Sequence, residues 1–410
     1  MKIGIVTTWF ERGAAYVSKQ FMDVLQKTDE VFIYARGGEK YAIGNPLWDL
    51  PNVWWGKRKE AEYHVYGYAY IDKTDFEKWI KLTGVECVFF NEQRYYQPLI
   101  WVKDLGIKSV AYIDYYTEDT IPLFDAYDCV ICNTKRHAFA MRNHKNVQYL
   151  KWGTNVNLYK PTNITHEKVT FFHSAGMAPH RKGTDVLIRS FYKCANRKKG
   201  KLFIHTQVSL TKLYPELSDI ISEMENDGSM ELCENTVTAP GLYHKGDVYV
   251  YPSRLDGIGL TLMEAISAGL AIITIDNAPM NEFVEPEFGD VCSVEYYYCR
   301  YDAYYWPMSV ASEDSLTTIL TDYIAKPECL DKKKKAARNY ALKELDFNKN
   351  MESLSGIMHS TKSTPISKKL RSMLKEYDAS HFTTTIYLKY WLKETIKKIP
   401  GVKSYLSNRR

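Results

Sequence analysis

The chain has 410 residues, 45% of them hydrophobic and 25% charged, and a net charge of +5 at neutral pH. That composition excludes a disordered, collagen-like or coiled-coil chain, and with no run of about 18 uncharged apolar residues no transmembrane helix is expected. Single cores stop growing near about 250–300 residues, so the length predicts two domains.

The opening MKIGIVTTWFERG meets Glu11 and Arg12 too soon for a signal peptide. The eight cysteines are therefore expected as reduced thiols, and the protein in the cytoplasm. Residues 2–8 form an apolar, β-branched strand, and 15–26 a helix with Val17, Phe21, Val24 and Leu25 on one face. Strands follow at 30–35 and 85–91, a helix at 99–105, and strands at 108–115 and 129–133. Continuous apolar strands separated by helices predict a parallel sheet covered on both faces, which is a doubly wound α/β domain. Cys129 and Cys132 stand three apart on one such strand and so face opposite ways, which argues against a shared metal or a redox pair.

Around residues 150–161 Gly, Asn and Pro cluster as in a linker, and a second α/β series begins. Its strands are expected at 168–173, 201–208, 247–251 and 270–275, and its helices at 184–197, 217–225 and 260–268. Residues 316–358 are expected to be mostly helical. The domains are thus 1–160 and 161–330, with 331–365 crossing back to the first domain and 366–410 forming a basic helical tail. That tail holds 11 Lys and Arg against 3 Asp and Glu, while the rest of the chain is slightly acidic. A nucleic-acid enzyme would spread its cations over the body, so no nucleic-acid partner is expected. Within the tail, 386–399 set Leu388, Trp391, Leu392, Ile396 and Ile399 on one helical face and Lys389, Lys393 and Lys397 on the other. Packing on the first domain and docking at a membrane surface suit this pattern equally.

Two segments carry chemistry. The first is YPSRLDGIGLTLMEAISAG, residues 251–269. A strand ends at Pro252-Ser253, and Asp256, Gly257, Ile258 and Gly259 form a turn before a helix that begins near Leu260 and Thr261. Glycines let backbone approach a bulky ligand, and free N–H groups at a helix start attract anions, so the stretch suits a diphosphate. Glu264 lies about one helical turn in, where a carboxylate can accept hydrogen bonds from vicinal hydroxyls. The second segment is AGMAPHRKGTD, residues 175–185, where Arg181 and Lys182 stand just before a helix start and can reach a phosphate. No Asp-x-Asp motif and no pair of histidines at metal spacing occurs, so no metal or other cofactor is expected.

These residues resemble the retaining GT-B glycosyltransferases of group 1 (family four). The hallmark of that family is a Glu, a Gly-Phe-Gly-like turn and a second Glu eight residues after the first. Here Asp256, Gly257-Ile258-Gly259 and Glu264-Ala265 stand in those places, with Asp for the first Glu. The segment Gly241-Leu242-Tyr243 with Gly246-Asp247 resembles the family's lead-in, and Met280-Asn281-Glu282 its following loop. Lys182 matches the family's loop lysine, whereas Met177 stands in place of its arginine. Arg12-Gly13-Ala14 resembles the glycine loop that faces the donor phosphate. Asp114 ends a strand near the place where many members carry a His that contacts the transferred sugar. Trp152-Gly153-Thr154-Asn155 matches the family's interdomain turn and suits a hinge.

The resemblance implies two Rossmann-like domains facing across a cleft, 1–160 binding the acceptor and 161–330 the nucleotide sugar, with C-terminal helices. It implies transfer of a sugar from a nucleoside-diphosphate sugar to a glycan, lipid-linked or polysaccharide-precursor hydroxyl, with retention of configuration. Asp256, Lys182, Arg181 and Asp114 would then be catalytic. Gly13, Lys182, Arg181, Gly257, Ile258, Gly259, Leu260, Thr261 and Glu264 would bind the donor. Two other readings stand beside it. One is a GT-B sugar-nucleotide epimerase, against which the missing His near Asp114 argues. The other is a catalytically silent sugar-nucleotide-binding subunit, which Met177 and Asp256 leave open.

Overall fold

The structure, a computed structural model, describes residues 1–37, 40–57, 69, 71–382, 388 and 392. The chain divides into two compact units. One comprises Met1–Ile131, Met141–Gln148 and Glu352–Arg410, and the other Cys132–Ala140 and Tyr149–Met351.

The first unit is built on a seven-stranded sheet. Its order is Val53–Trp55, Glu30–Ala35, Lys2–Thr7, Cys87–Asn91, Lys108–Tyr112, Cys129–Cys132 and Val147–Tyr149. Lys2–Thr7 pairs in parallel with Glu30–Ala35 on one side and Cys87–Asn91 on the other, so the strand order reverses there. Every residue of Cys87–Asn91 is buried, as a parallel strand covered on both faces requires. Cys129 and Cys132 are buried free thiols. Helix Lys368–His381 packs on Gln97–Asp104 and Ile121–Ala126, where Leu374 is fully buried.

The second unit holds a six-stranded, all-parallel sheet in the order Met230–Glu234, Gly200–Thr206, Val169–Gly176, Val248–Tyr251, Ala271–Ile275 and Gly289–Cys292. Its order reverses between Val169–Gly176 and Val248–Tyr251. In open α/β sheets the crevice outside the carboxyl ends of such a pair is where ligands bind. Both chemistry-bearing segments leave the sheet at this point.

Two departures from the sequence reading concern the division of the chain. Helix Leu330–Glu344, expected to cross back, packs instead on Leu260–Ser267 in the second unit, with Ala337 and Ala341 buried. The chain rejoins the first unit at Glu352. The second unit also claims Cys132–Ala140, ahead of the expected boundary. The reason is polar: the Arg136 guanidinium donates to the Asp256 and Ala278 carbonyls, and the Glu282 carboxylate accepts from the Lys135 and Arg136 amides at 2.6 and 2.8 Å. Gly153, in the expected hinge, is held by backbone, because a Cβ there would lie 2.6 Å from the Leu345 carbonyl oxygen. Among the described residues no helix is long and apolar enough to cross a membrane. The amphipathic helix expected over 386–399 lies outside the described residues, apart from Leu388 and Leu392.

Candidate functional site

Strand Val169–Gly176 ends in a tight loop, and helix Thr184–Lys193 follows. The Lys182 amide donates to the Ala178 carbonyl and the Thr184 amide to that of Pro179, which curls the loop back on itself. Gly183 closes the curl in the left-handed region at φ 72°. A Cβ there would lie 2.1 Å from the Pro252 carbonyl oxygen, so only glycine lets the two chemistry-bearing segments touch. Their backbones are then bonded, the Arg254 amide donating to the Arg181 carbonyl at 2.8 Å. His173 braces the strand beneath. Its Nδ1 donates to the Val250 carbonyl and its Nε2 accepts from the Thr184 hydroxyl, and burial pushes its pKa down to about 4.

The contact brings Arg181, Lys182 and Asp256 together. Asp256 Oδ2 accepts from Arg181 at 3.0 Å and also from Lys182 Nζ and the Tyr251 hydroxyl, while Oδ1 accepts from the Gly257 amide at 3.1 Å. The Lys182 and Asp256 side chains are only 12% and 16% exposed. Burial lowers the Lys182 ammonium to about 8, against the pull of Asp256 that holds it up. Burial would raise the Asp256 carboxyl, but the Lys182 and Arg181 charges outweigh it and keep the group far below the usual carboxylate range. One carboxylate therefore faces two cations and a phenol in a poorly hydrated corner.

Beside this corner, Gly259 takes φ 81° and caps helix Leu260–Ser267. The Leu260 and Thr261 amides open the helix, where no preceding turn supplies a carbonyl. Ile258 turns its side chain inward, 5% exposed, which leaves only its backbone for a ligand. Glu264 is half-buried, and it accepts from the Tyr243 hydroxyl. Burial raises its pKa, with hydrogen bonds from Tyr243 and Tyr159 and the charge of Lys182 opposing. Together these groups can hold an anion against Arg181, Lys182 and the helix start, and offer Glu264 to hydroxyls.

The structure places the remaining two candidates in the first unit. Gly13 opens helix Gly13–Leu25, and nothing lies within 4 Å of where its Cβ would stand. The Asp114 amide donates to Glu92 Oε1 at 3.0 Å. Burial, then the Asp114 charge, push the Glu92 carboxyl well above its ordinary range. Glu92 takes φ 54°, a strained value for a residue with a side chain.

Sequence reasoning missed Tyr251, Tyr243 as the partner of Glu264, Arg254, Asp185 and Glu92. Tyr251 carried a signal, since a phenol just before Pro252-Ser253 ends the strand at the same point as the Asp256 turn. Tyr243, Arg254 and Asp185 stand within marked segments, but their partners are distant in sequence, and Glu92 carried no local mark.

Residues 168–296 match the family model described as Glycosyl transferases group 1. No curated protein matches. Sucrose-phosphate synthase from Thermosynechococcus elongatus is similar in structure, with 13% identity and a TM-score of 0.65 over 88% of this chain and 98% of that one. Alr3699/HepE from Anabaena, in complex with UDP, has 13% identity and a TM-score of 0.66 over 88% of this chain and 99% of that one. A glycosyltransferase from Rickettsia africae has 13% identity and a TM-score of 0.65 over 92% of this chain and 97% of that one. At such identities the likeness establishes the fold, which is the two-domain α/β arrangement called GT-B. The segment that carries the Arg181–Lys182 loop and the Asp256–Glu264 turn is thus the one that matches group 1 glycosyl transferases, set within that fold.

Proposed function

We propose that this protein is a retaining, metal-independent glycosyltransferase that moves a sugar from a nucleoside-diphosphate sugar to an acceptor hydroxyl. The observation that carries the reading is the engagement of Arg181 and Lys182 by the single carboxylate of Asp256, next to the open start of helix Leu260–Ser267. A diphosphate is the ligand whose charge and oxygen count suit two cations and a row of amides. UDP in the Anabaena structure supports a nucleotide donor for this chain as well.

In this reading the bond between the anomeric carbon and the diphosphate oxygen breaks, and its electron pair leaves with the diphosphate. The acceptor oxygen bonds to the same face of the sugar, and its proton passes to the departing phosphate. Lys182, Arg181 and the helix amides stabilise the charge that gathers on the leaving group. Asp256 orients the two cations and the sugar, and Glu264, held by Tyr243, accepts from the ribose hydroxyls. The resemblance assigns further roles in the reaction to Gly13 and Asp114. The acceptor is a glycan, a lipid-linked sugar or a polysaccharide precursor, met in the cytoplasm or at its membrane face.

Incubation with UDP- and GDP-sugars, with and without EDTA, tests the proposal. Slow release of free nucleotide is expected, unchanged by EDTA. No release from any donor, with no rise in melting temperature on adding UDP or GDP, would overturn it. Binding without release would favour the silent subunit instead.

A further inference from the structure

Seven of the eleven residues from 296 to 306 are Tyr or Trp. They begin where the match to group 1 glycosyl transferases ends, at residue 296. Strands Val294–Tyr298 and Met308–Ala311 pair antiparallel, with Tyr296 opposite Val310 and Tyr298 opposite Met308, so this run forms a hairpin. The inner strand is packed, with Met308, Val310 and Ala311 buried. The outer residues are not: Tyr296 is 56%, Tyr297 53% and Tyr301 fully exposed. Large aromatic faces left in water on a folded chain mark an interaction surface.

Charge narrows the ligand. Residues 294–311 carry Glu295, Arg300 and Asp302, and Arg300 is spent on Asp302 through two hydrogen bonds of 3.0 and 2.6 Å. The hairpin itself thus carries one cation against two carboxylates, a balance that does not suit nucleic acid or an anionic lipid surface. What remains is a neutral ligand that is apolar on its faces and polar at its edges. A pyranose ring has that character, with C–H groups on its faces and hydroxyls around its rim. Tyrosine answers it with an apolar ring and a hydrogen-bonding tip.

Position narrows it further. The Ser309 amide donates to the Arg254 carbonyl at 2.9 Å, which ties the hairpin to the Asp256 turn. The Tyr298 hydroxyl lies 3.5 Å from His180 Nε2, on the loop that carries Lys182. The Arg136 guanidinium, which donates to the Asp256 carbonyl, stands 5.3 Å over the Trp306 ring. The hairpin is therefore anchored beside the donor corner through Ser309, Tyr298 and Trp306.

We propose that the 294–311 hairpin is a carbohydrate-binding element that takes a neutral glycan, with Tyr296 on one face, Tyr297 on the other and Tyr301 in the connecting turn each offering a ring for a sugar to stack on. Naming that glycan as the acceptor rests on the glycosyl-transfer reading above. The binding itself does not.

The full chain and its Tyr296→Ser/Tyr297→Ser/Tyr301→Ser variant are compared on an array of immobilised neutral oligosaccharides, with the melting-temperature rise from UDP measured alongside. The wild type should bind at least one glycan, and the variant should bind it about tenfold or more weakly, as loss of several aromatic contacts implies. The UDP response should be equal in the two. Tyr301→Trp, which keeps an aromatic face, should retain binding and thereby separates lost stacking from lost folding. Equal glycan binding by the triple variant, or no glycan binding by the wild type, overturns the proposal. So does a wild-type dimer that the triple substitution dissolves without any glycan signal. Glycan binding without a UDP response leaves the hairpin site standing and removes the donor reading instead.

Discussion

Arg254 grips Asp185 with both terminal nitrogens, its NH1 donating to Oδ1 at 2.7 Å and its NH2 to Oδ2 at 2.8 Å. Both side chains are nearly buried, 5% and 10% exposed. Arg254 belongs to the turn that carries Asp256, and Asp185 to the first turn of the helix behind Lys182. The pair therefore sets how far the two chemistry-bearing segments stand apart.

Removing one partner of a buried pair strands the other charge, which costs about 3–5 kcal/mol. Asp185→Asn should lower the stability of the chain by that order in urea unfolding. A combined Arg254→Met/Asp185→Leu change should recover much of the loss, because no buried charge is then left over. Equal stability of Asp185→Asn and wild type would mean that the pair is better hydrated than its burial implies.

Lys182 governs the second expectation. With its ammonium pulled down by burial to about 8, the charge that meets a diphosphate is present below that pH and lost above it. Once the ionisation of the UDP terminal phosphate near about pH 6 is allowed for, UDP affinity should therefore fall as the pH rises past 8. Lys182→Arg stays charged throughout, so its affinity should show no such fall. Lys182→Ala should slow transfer by about a hundredfold or more, the cost of losing a group aimed at developing charge. Titration calorimetry across this pH range measures the first two, and nucleotide-release kinetics the third. A flat wild-type profile would remove Lys182 from the phosphate site.

Glu264 is held by the Tyr243 hydroxyl and half-buried beside the helix start. Glu264→Gln keeps the shape and an acceptor oxygen for Tyr243 but loses the negative charge. Charged acceptors bind about twice as strongly as neutral ones, so UDP should bind about tenfold more weakly. Turnover at saturating donor should change little if Glu264 meets the ribose as proposed, because such a contact is made in the ground and transition states alike. A fall in turnover with unchanged affinity would place Glu264 at the reacting sugar instead.

Much of the fold was legible in local pattern. The expected strand at 30–35 coincides with Glu30–Ala35, and the helix at 260–268 with Leu260–Ser267, because apolar runs and glycine stops are written in adjacent residues. The short strand Val53–Trp55 and the helix Lys73–Thr83 lie where the sequence reading marked nothing. The tyrosine run near 296 was opaque for a different reason. Its aromatic residues show neither clear alternation nor helical spacing, so no hairpin is legible there. At the site, Lys182 and Asp256 are each visible as part of a motif. That Lys182 and Tyr251 meet on one carboxylate oxygen of Asp256, and that Arg254 reaches Asp185 from 69 residues away, depends on sheet order, which no local window contains.

The first unit offers a pH test that is independent of any ligand. Asp378, on helix Lys368–His381, accepts from the Tyr96 amide at 3.0 Å and from Gln97 Nε2, at the start of helix Gln97–Asp104. Burial pushes its carboxyl from an ordinary 3.8 up to about 7, with the Tyr96 and Gln97 donors resisting. Between those two values the folded chain keeps a proton that the unfolded chain has released. Stability contributed by this group therefore falls as the pH rises from about 4 to 7 and is level above. Asp29 works in the opposite sense: burial would raise it, but hydrogen bonds from Ser355, His359 and the N-terminus hold it below its ordinary range. The raw curve thus mixes both, and the useful quantity is the stability of wild type minus that of Asp378→Asn at each pH. That difference should decline steadily from pH 4 to pH 7 in denaturant titrations, because asparagine keeps an acceptor for the Tyr96 amide but has no proton to lose. A difference that rises over the same range would show that Asp378 is ionised in the folded chain and stabilised by the helix start it caps.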